Sequence, residues 1–154
     1  MDPAILGPID AIFSPIIEPI LLIGVVINLV TRHLAHRSHI RQNEEEKGSL
    51  KRFVFHEISN GVLIVFSLYY MTLHHHGGMV LSLMVLAMIL ADIFEFEARL
   101  VESRGGMEIE LPKGSMVGSA LVLVYILYII ILPAGPLDQF LTLLPINKLV
   151  LLFV

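Results

Sequence analysis

The stretch KRFVFHEISNGVLIVFSLYYMTLHHHGGMVLSLMVLAMILADIFEFEAR, residues 51–99, decides how this chain folds. It reads as two apolar helices folded back on each other at His74-His75-His76-Gly77-Gly78, with charge concentrated on the outer flanks. Lys51, Arg52, His56 and Glu57 mark the start of the first helix, and Asp92, Glu95, Glu97 and Arg99 the end of the second. If both helices cross a bilayer, these two charged ends lie side by side at one face. The Gly-Gly pair reads as the tight reversal that antiparallel helices need.

The rest of the chain agrees with this hairpin. Of 154 residues, 56% are hydrophobic and only 16% charged, and the mean hydropathy is +0.82. A soluble domain of this size has no way to hide so much apolar surface. Apolar runs of roughly 18 or more residues recur, the length a bilayer core demands. The reading is an all-α integral membrane protein, a single membrane domain over 1–154, with four transmembrane helices at 20–35, 53–73, 79–98 and 115–132. Residues 1–19 carry Pro3, Pro8, Pro15 and Pro19, which break any long helix and leave a Pro-rich interfacial segment. The apolar tail 137–154 is interrupted by Asp138, Pro145 and Lys148 and reads as interfacial or half-inserted. The chain has no cysteine, which excludes disulfides, thiolate metal sites and iron–sulfur ligation. The net charge of −4 is split between connections and carries no nucleic-acid footprint. No basic n-region opens the chain, so its start is not read as a cleaved signal peptide.

Lysine and arginine separate the two faces. The N-terminal segment and the His-Gly turn have none, whereas the first polar connection has six, the second three and the tail one. By the positive-inside rule the basic loops 32–52 and 99–113 are cytoplasmic, and the N-terminus, the turn and the C-terminus lie outside.

Three constellations carry possible chemistry. Asn28, His56, Glu57, Asn60, Asp92 and Glu95 gather near the basic ends of the first three spans. His56 and Asp92 match in depth to within about 3 Å by helical rise. Ionisable groups inside a span mark proton or ligand paths, or simply pair at the headgroup boundary; both readings fit the pattern. Asp92, Glu95, Phe96 and Arg99 share a helix face, and Glu95 precedes Arg99 by four residues, the favourable order for an ion pair within a helix. His33, His36 and His39 fall within about a 120° arc on a continuing helix and could hold a metal, or form a basic collar. His74, His75 and His76 are a second weak metal candidate, or a polar cap on the turn; the topology puts them on the opposite face from the first three. A bis-histidine haem site lacks a second histidine at the depth of His56. Gly114 and Gly118, with Ser115 and Ser119, form a small-residue face that lets a helix dock closely on a neighbour. No catalytic triad, HExxH or phosphate-loop pattern is present.

Residues 28–37 (NLVTRHLAHR), 73–82 (LHHHGGMVLS) and 91–104 (ADIFEFEARLVESR) resemble a family of small multi-span membrane proteins of halophilic archaea. The resemblance implies genes placed beside a cytochrome bc-type, quinol-oxidising complex, and supplies no catalytic residues. It implies a non-catalytic accessory subunit of a respiratory electron-transfer complex, in contact with membrane lipids and with cytochrome b and Rieske-type subunits. This chain would bind no cofactor alone, with lipid or quinone at subunit boundaries. The residues also admit a small homo-oligomeric proton- or solute-translocating protein working through the His56–Asp92 face.

Overall fold

A computed structural model describes residues 7–132; the first six residues of the Pro-rich segment and the whole 137–154 tail lie outside the described part. Its elements are all helical: α1 Pro8–Phe13, α2 Ile17–Glu45, α3 Val54–Leu73, α4 His75–Arg104 and α5 Lys113–Ile131. The last four are long and apolar enough to cross a membrane, the arrangement of a multi-pass membrane protein. They form a ring in which α2 packs on α3, α3 on α4, α4 on α5 and α5 back on α2. Helices α2 and α4 are therefore diagonal and run parallel, with α3 and α5 antiparallel to them.

The lengths differ in a way that matters for the site. Helices α3 and α5 have 20 and 19 residues, about 30 Å, the thickness of a hydrocarbon core. Helices α2 and α4 have 29 and 30 residues, about 44 Å, so both overhang their neighbours at the end where the basic residues cluster.

Helix α2 runs on past residue 35, where the span was expected to end, as the placing of His33, His36 and His39 on a continuing helix allowed. Helix continues to Glu45 through the most polar stretch of the chain. That stretch has neither Gly nor Pro before Gly48, and it turns Arg32, Ala35, His36 and His39 inward at helical spacing. The reversal at the other end also differs in detail. Only His74 is non-helical; His75, His76, Gly77 and Gly78 form the first turn of α4. Gly78 serves close approach rather than an unusual backbone angle: a Cβ there would collide with the Met71 backbone of α3.

At the His74 end the interior is mostly apolar, built from Ile17, Leu21, Val25, Leu63, Leu81, Val85, Val122 and Ile126, each no more than 1% exposed, with Ser82 Oγ donating to the Ser67 carbonyl at 2.9 Å as its buried polar contact. Lipid tails are as apolar as these side chains, so close fit rather than expulsion of water holds the helices together here. Nearer the basic end, beside Met88 and Glu95, the small-residue face of α5 supplies the same kind of fit. Ser115 and Ser119 are fully buried, and a Cβ on Gly118 would stand 3.1 Å from Met88 Cβ and 3.2 Å from its Cα. This face is thus used within the chain, against α4. The opposite face of α5 (Val117, Leu121, Val124) and that of α3 (Phe55, Ile58, Val62, Val65) point outward.

Candidate functional site

Halfway along α2 the interior changes character. Asn28, Arg32, His56, Asn60 and Asp92 are each at most 7% exposed and join α2, α3 and α4. Asn28 Nδ2 donates to Asn60 Oδ1 at 2.6 Å and to Ser59 Oγ at 3.2 Å. Arg32 Nη2 donates to Asn28 Oδ1 at 3.0 Å. Asp92 Oδ2 receives His56 Nε2 at 3.1 Å and Asn60 Nδ2 at 3.3 Å. Arg32 Nη1 stands 3.9 Å from Asp92 Oδ1, an ion pair without a direct hydrogen bond. The helical spacing of Asn28, Thr31 and Arg32 faces them onto α3 and the bundle axis, where His56 and Asn60 sit one turn apart.

This geometry fixes what His56 can do. With Asp92 as carboxylate, His56 Nε2 carries a proton toward it. Thr31 Oγ1 lies 3.1 Å from His56 Nδ1 and 3.1 Å from the Asn28 carbonyl. When the imidazole is neutral, the Thr31 hydroxyl donates to Nδ1. When it is protonated, Nδ1 donates and the hydroxyl turns its proton to the carbonyl. The Thr31 hydroxyl thus stands within hydrogen-bond reach of both the imidazole and a backbone carbonyl.

Beyond this layer a second polar level bridges the diagonal. Arg99 Nη1 lies 3.0 Å from His39 Nδ1; a guanidinium only donates, so this nitrogen accepts and the His39 proton sits on Nε2. The His39 ring packs on Phe96 at 5.3 Å, and the Arg52 guanidinium lies 4.5 Å from the centre of the same ring. A third level ties the overhang: Ser103 Oγ donates to Asn43 Oδ1 at 2.6 Å and accepts from Gly48 N at 2.7 Å.

The sequence-singled residues thus divide. Asn28, His56, Asn60 and Asp92 form one network. Glu57 stands apart, paired with Arg52 at 3.2 Å near the surface. Glu95 also has another task. Its carboxylate accepts from Gly114 N at 2.6 Å, from Ser115 N at 3.3 Å and from Ser115 Oγ, and so caps the start of α5. The expected Glu95–Arg99 pair within α4 is not formed, because Glu95 turns to α5 and Arg99 turns inward to His39. His33 is exposed, while His36 and His39 are buried, so the three do not converge. His74, His75 and His76 are exposed at the far end, with His74 against Tyr70 at 4.8 Å. Among the described residues no three His, Asp or Glu side chains are placed to hold a metal ion. The arginines Arg32 and Arg99 are the interior residues that spacing alone undervalued. Their signal was position: each sits on the same helical face as a residue of the network.

A family model described as a domain of unknown function, DUF7313, matches residues 2–151, and the chain belongs to that family. No curated protein and no solved structure matches the chain.

Proposed function

We propose that this chain is a non-catalytic accessory subunit of a membrane respiratory electron-transfer complex of the cytochrome bc-like, quinol-oxidising kind, packed laterally against cytochrome b and Rieske-type subunits. The observation that carries this reading is where the polar side chains are spent. Asn28, Arg32, His56, Asn60 and Asp92 bond to one another across three helices, which holds the bundle in one arrangement. The outward rows of α3 and α5 are left apolar. The resemblance of residues 28–37, 73–82 and 91–104 supports the electron-transfer setting. Because the Gly118–Ser119 face is already occupied by α4, partner subunits would meet the Val117–Leu121–Val124 row instead, with lipid or quinone at that boundary. Mild-detergent purification from the native membrane, followed by mass spectrometry and a reduced-minus-oxidised visible spectrum, tests this. Co-purifying cytochrome b and Rieske-type subunits with haem bands are expected; a colourless homo-oligomer without partners overturns the reading.

The Thr31–His56–Asp92 chain favours a second reading, a homo-oligomeric proton- or solute-translocating protein. Arg32 and Arg99 weigh against a cation path, since both are permanently charged and lie on the same axis. Reconstituted protein that moves protons, and loses this with Asp92→Asn while still assembling, would favour the second reading.

A further inference from the structure

Among the described residues, buried side-chain nitrogens without a partner gather around Arg32 in the first polar level and Arg99 in the second. Arg32, His36, His39 and Arg99 are 3%, 6%, 3% and 4% exposed. Four of their buried donors, Arg32 Nε and Nη1 and Arg99 Nε and Nη2, have no hydrogen-bond acceptor among the described residues, and His36 Nδ1 is also without a partner; His39 faces the Lys51 backbone carbonyl. An unmatched buried donor is costly, and one on a charged group more so. Each guanidinium makes one hydrogen bond, and in both cases to a neutral acceptor, Asn28 Oδ1 or His39 Nδ1.

The nearby carboxylates do not fill the gap. Asp92 Oδ2 is engaged by His56 and Asn60, and Oδ1 stays 3.9 Å from Arg32. Glu95 is committed to the first amides of α5, and Glu102 to Glu110 N at 3.1 Å. Arg99 therefore keeps its Nε/Nη2 edge open, the parallel pair of N–H bonds that fits two oxygens of one oxyanion.

Depth and charge narrow the oxyanion. Arg99 lies seven residues past Asp92, about 10 Å further toward the basic end, and so beyond the start of α3. That is the headgroup layer rather than the hydrocarbon. Arg32 and Arg99 are already balanced in net charge by Asp92 and Glu95, whose fields reach both. A singly charged ligand adds the least repulsion, which disfavours free phosphate, largely a dianion near neutral pH, against a phosphodiester. A cleft of about 210 Å³ between α4 and the segment leading into α5 reaches Arg99 but not Arg32, His36 or His39, and Lys113 shares its lining with Glu95, Glu102 and Glu110.

We propose that Arg99 and Arg32, with His36 and His39 beside them, bind the phosphodiester of a membrane lipid headgroup, so that this chain carries a tightly held structural phospholipid. The site belongs to the chain alone and does not depend on the respiratory partners of the previous section.

The test uses the full chain in dodecyl maltoside, stripped by repeated detergent exchange. Native mass spectrometry and phosphorus assay are expected to find about one phospholipid retained per chain. Added phosphatidylglycerol should raise the Tm of stripped protein, and inorganic phosphate at equal concentration should not. Arg99→Lys keeps the charge and loses the fork; it should fold, judged by circular dichroism and gel filtration, yet weaken lipid binding about tenfold. Arg41→Gln, on the exposed face of α2, should bind as the parent does. A Tm rise with inorganic phosphate alone would overturn the lipid assignment. Stripped protein that holds no phosphorus and responds to neither probe would overturn the site, leaving the four guanidinium donors to water. A folded Arg99→Lys with unchanged retention would overturn the fork.

Discussion

The two halves of this bundle are held together by different physics. Toward His74 the interior is Ile17, Leu21, Val25, Leu63, Leu81, Val85, Val122 and Ile126, joined by contact and by small residues that bring backbones near. From Asn28 to Asn43 the interior is a column of amides, imidazoles, guanidiniums and one carboxylate that bond across the diagonal. In a bilayer neither half gains from expelling water between helices, so the first depends on shape and the second on direction. Shape tolerates a change of atom type and not of size; direction tolerates the reverse. The column also sits at the end where α2 and α4 overhang, nearer to water and headgroups, where desolvating a charge costs less than at mid-membrane.

The largest effect is expected in the polar half. Asp92→Ala removes the one acceptor shared by His56 and Asn60 and the counter-charge of Arg32. Loss of one partner of a buried ion pair costs about 3–5 kcal/mol, read as a large fall in the detergent Tm, with Asp92→Asn milder. A Tm unchanged by Asp92→Ala would mean the column is hydrated and not cohesive. The close-fitting contacts should answer to volume. Gly78→Ala drives a methyl into the Met71 backbone, and Gly118→Ala presses one on Met88; overpacking of this kind costs about 1–3 kcal/mol, with Gly78 the worse because backbone cannot swing aside. Smaller again is Glu95→Gln. It keeps the shape and weakens the cap on α5, for about 1 kcal/mol, and local hydrogen exchange at Gly114 and Ser115 should rise before any global change.

The halves also differ in how far they could be read from the chain. Four apolar helices were legible because span length and hydropathy are local properties, and the closeness of His56 to Asp92 followed from counting residues in from each charged flank. The extension of α2 to Glu45 was not, because Arg37, Arg41 and Glu44 to Glu46 make that stretch read as solvent-exposed loop. Its inward row of Arg32, Ala35, His36 and His39 becomes meaningful only once a diagonal partner exists. Partner choice was less legible still. Glu95 and Arg99 stand at ideal spacing for each other, and both choose other elements, because α5 offers amides and α2 an imidazole. Spacing along one helix sets which pairs are possible; the neighbouring helices decide which form.

The smallest expected effects give the sharpest contrast, because one substitution can be made at a contact of fit and at a contact of direction. Ser103 and Ser119 are each 0% exposed. Ser119 Oγ bonds back to the Ser115 carbonyl of its own helix at 2.8 Å and touches Met88 Sδ at 3.2 Å. That carbonyl already lies within a helical ladder, and removing the hydroxyl leaves the small side chain that α4 needs. Ser119→Ala should change stability by less than about 0.5 kcal/mol. Ser103 Oγ instead joins Asn43 on α2 to Gly48 N, two groups from elsewhere in the chain. Ser103→Ala leaves both without that partner and should cost about 1 kcal/mol, seen as faster exchange at Gly48 and a lower Tm. Equal costs at the two serines would break the division, since it would mean that fit and not direction governs the whole interior.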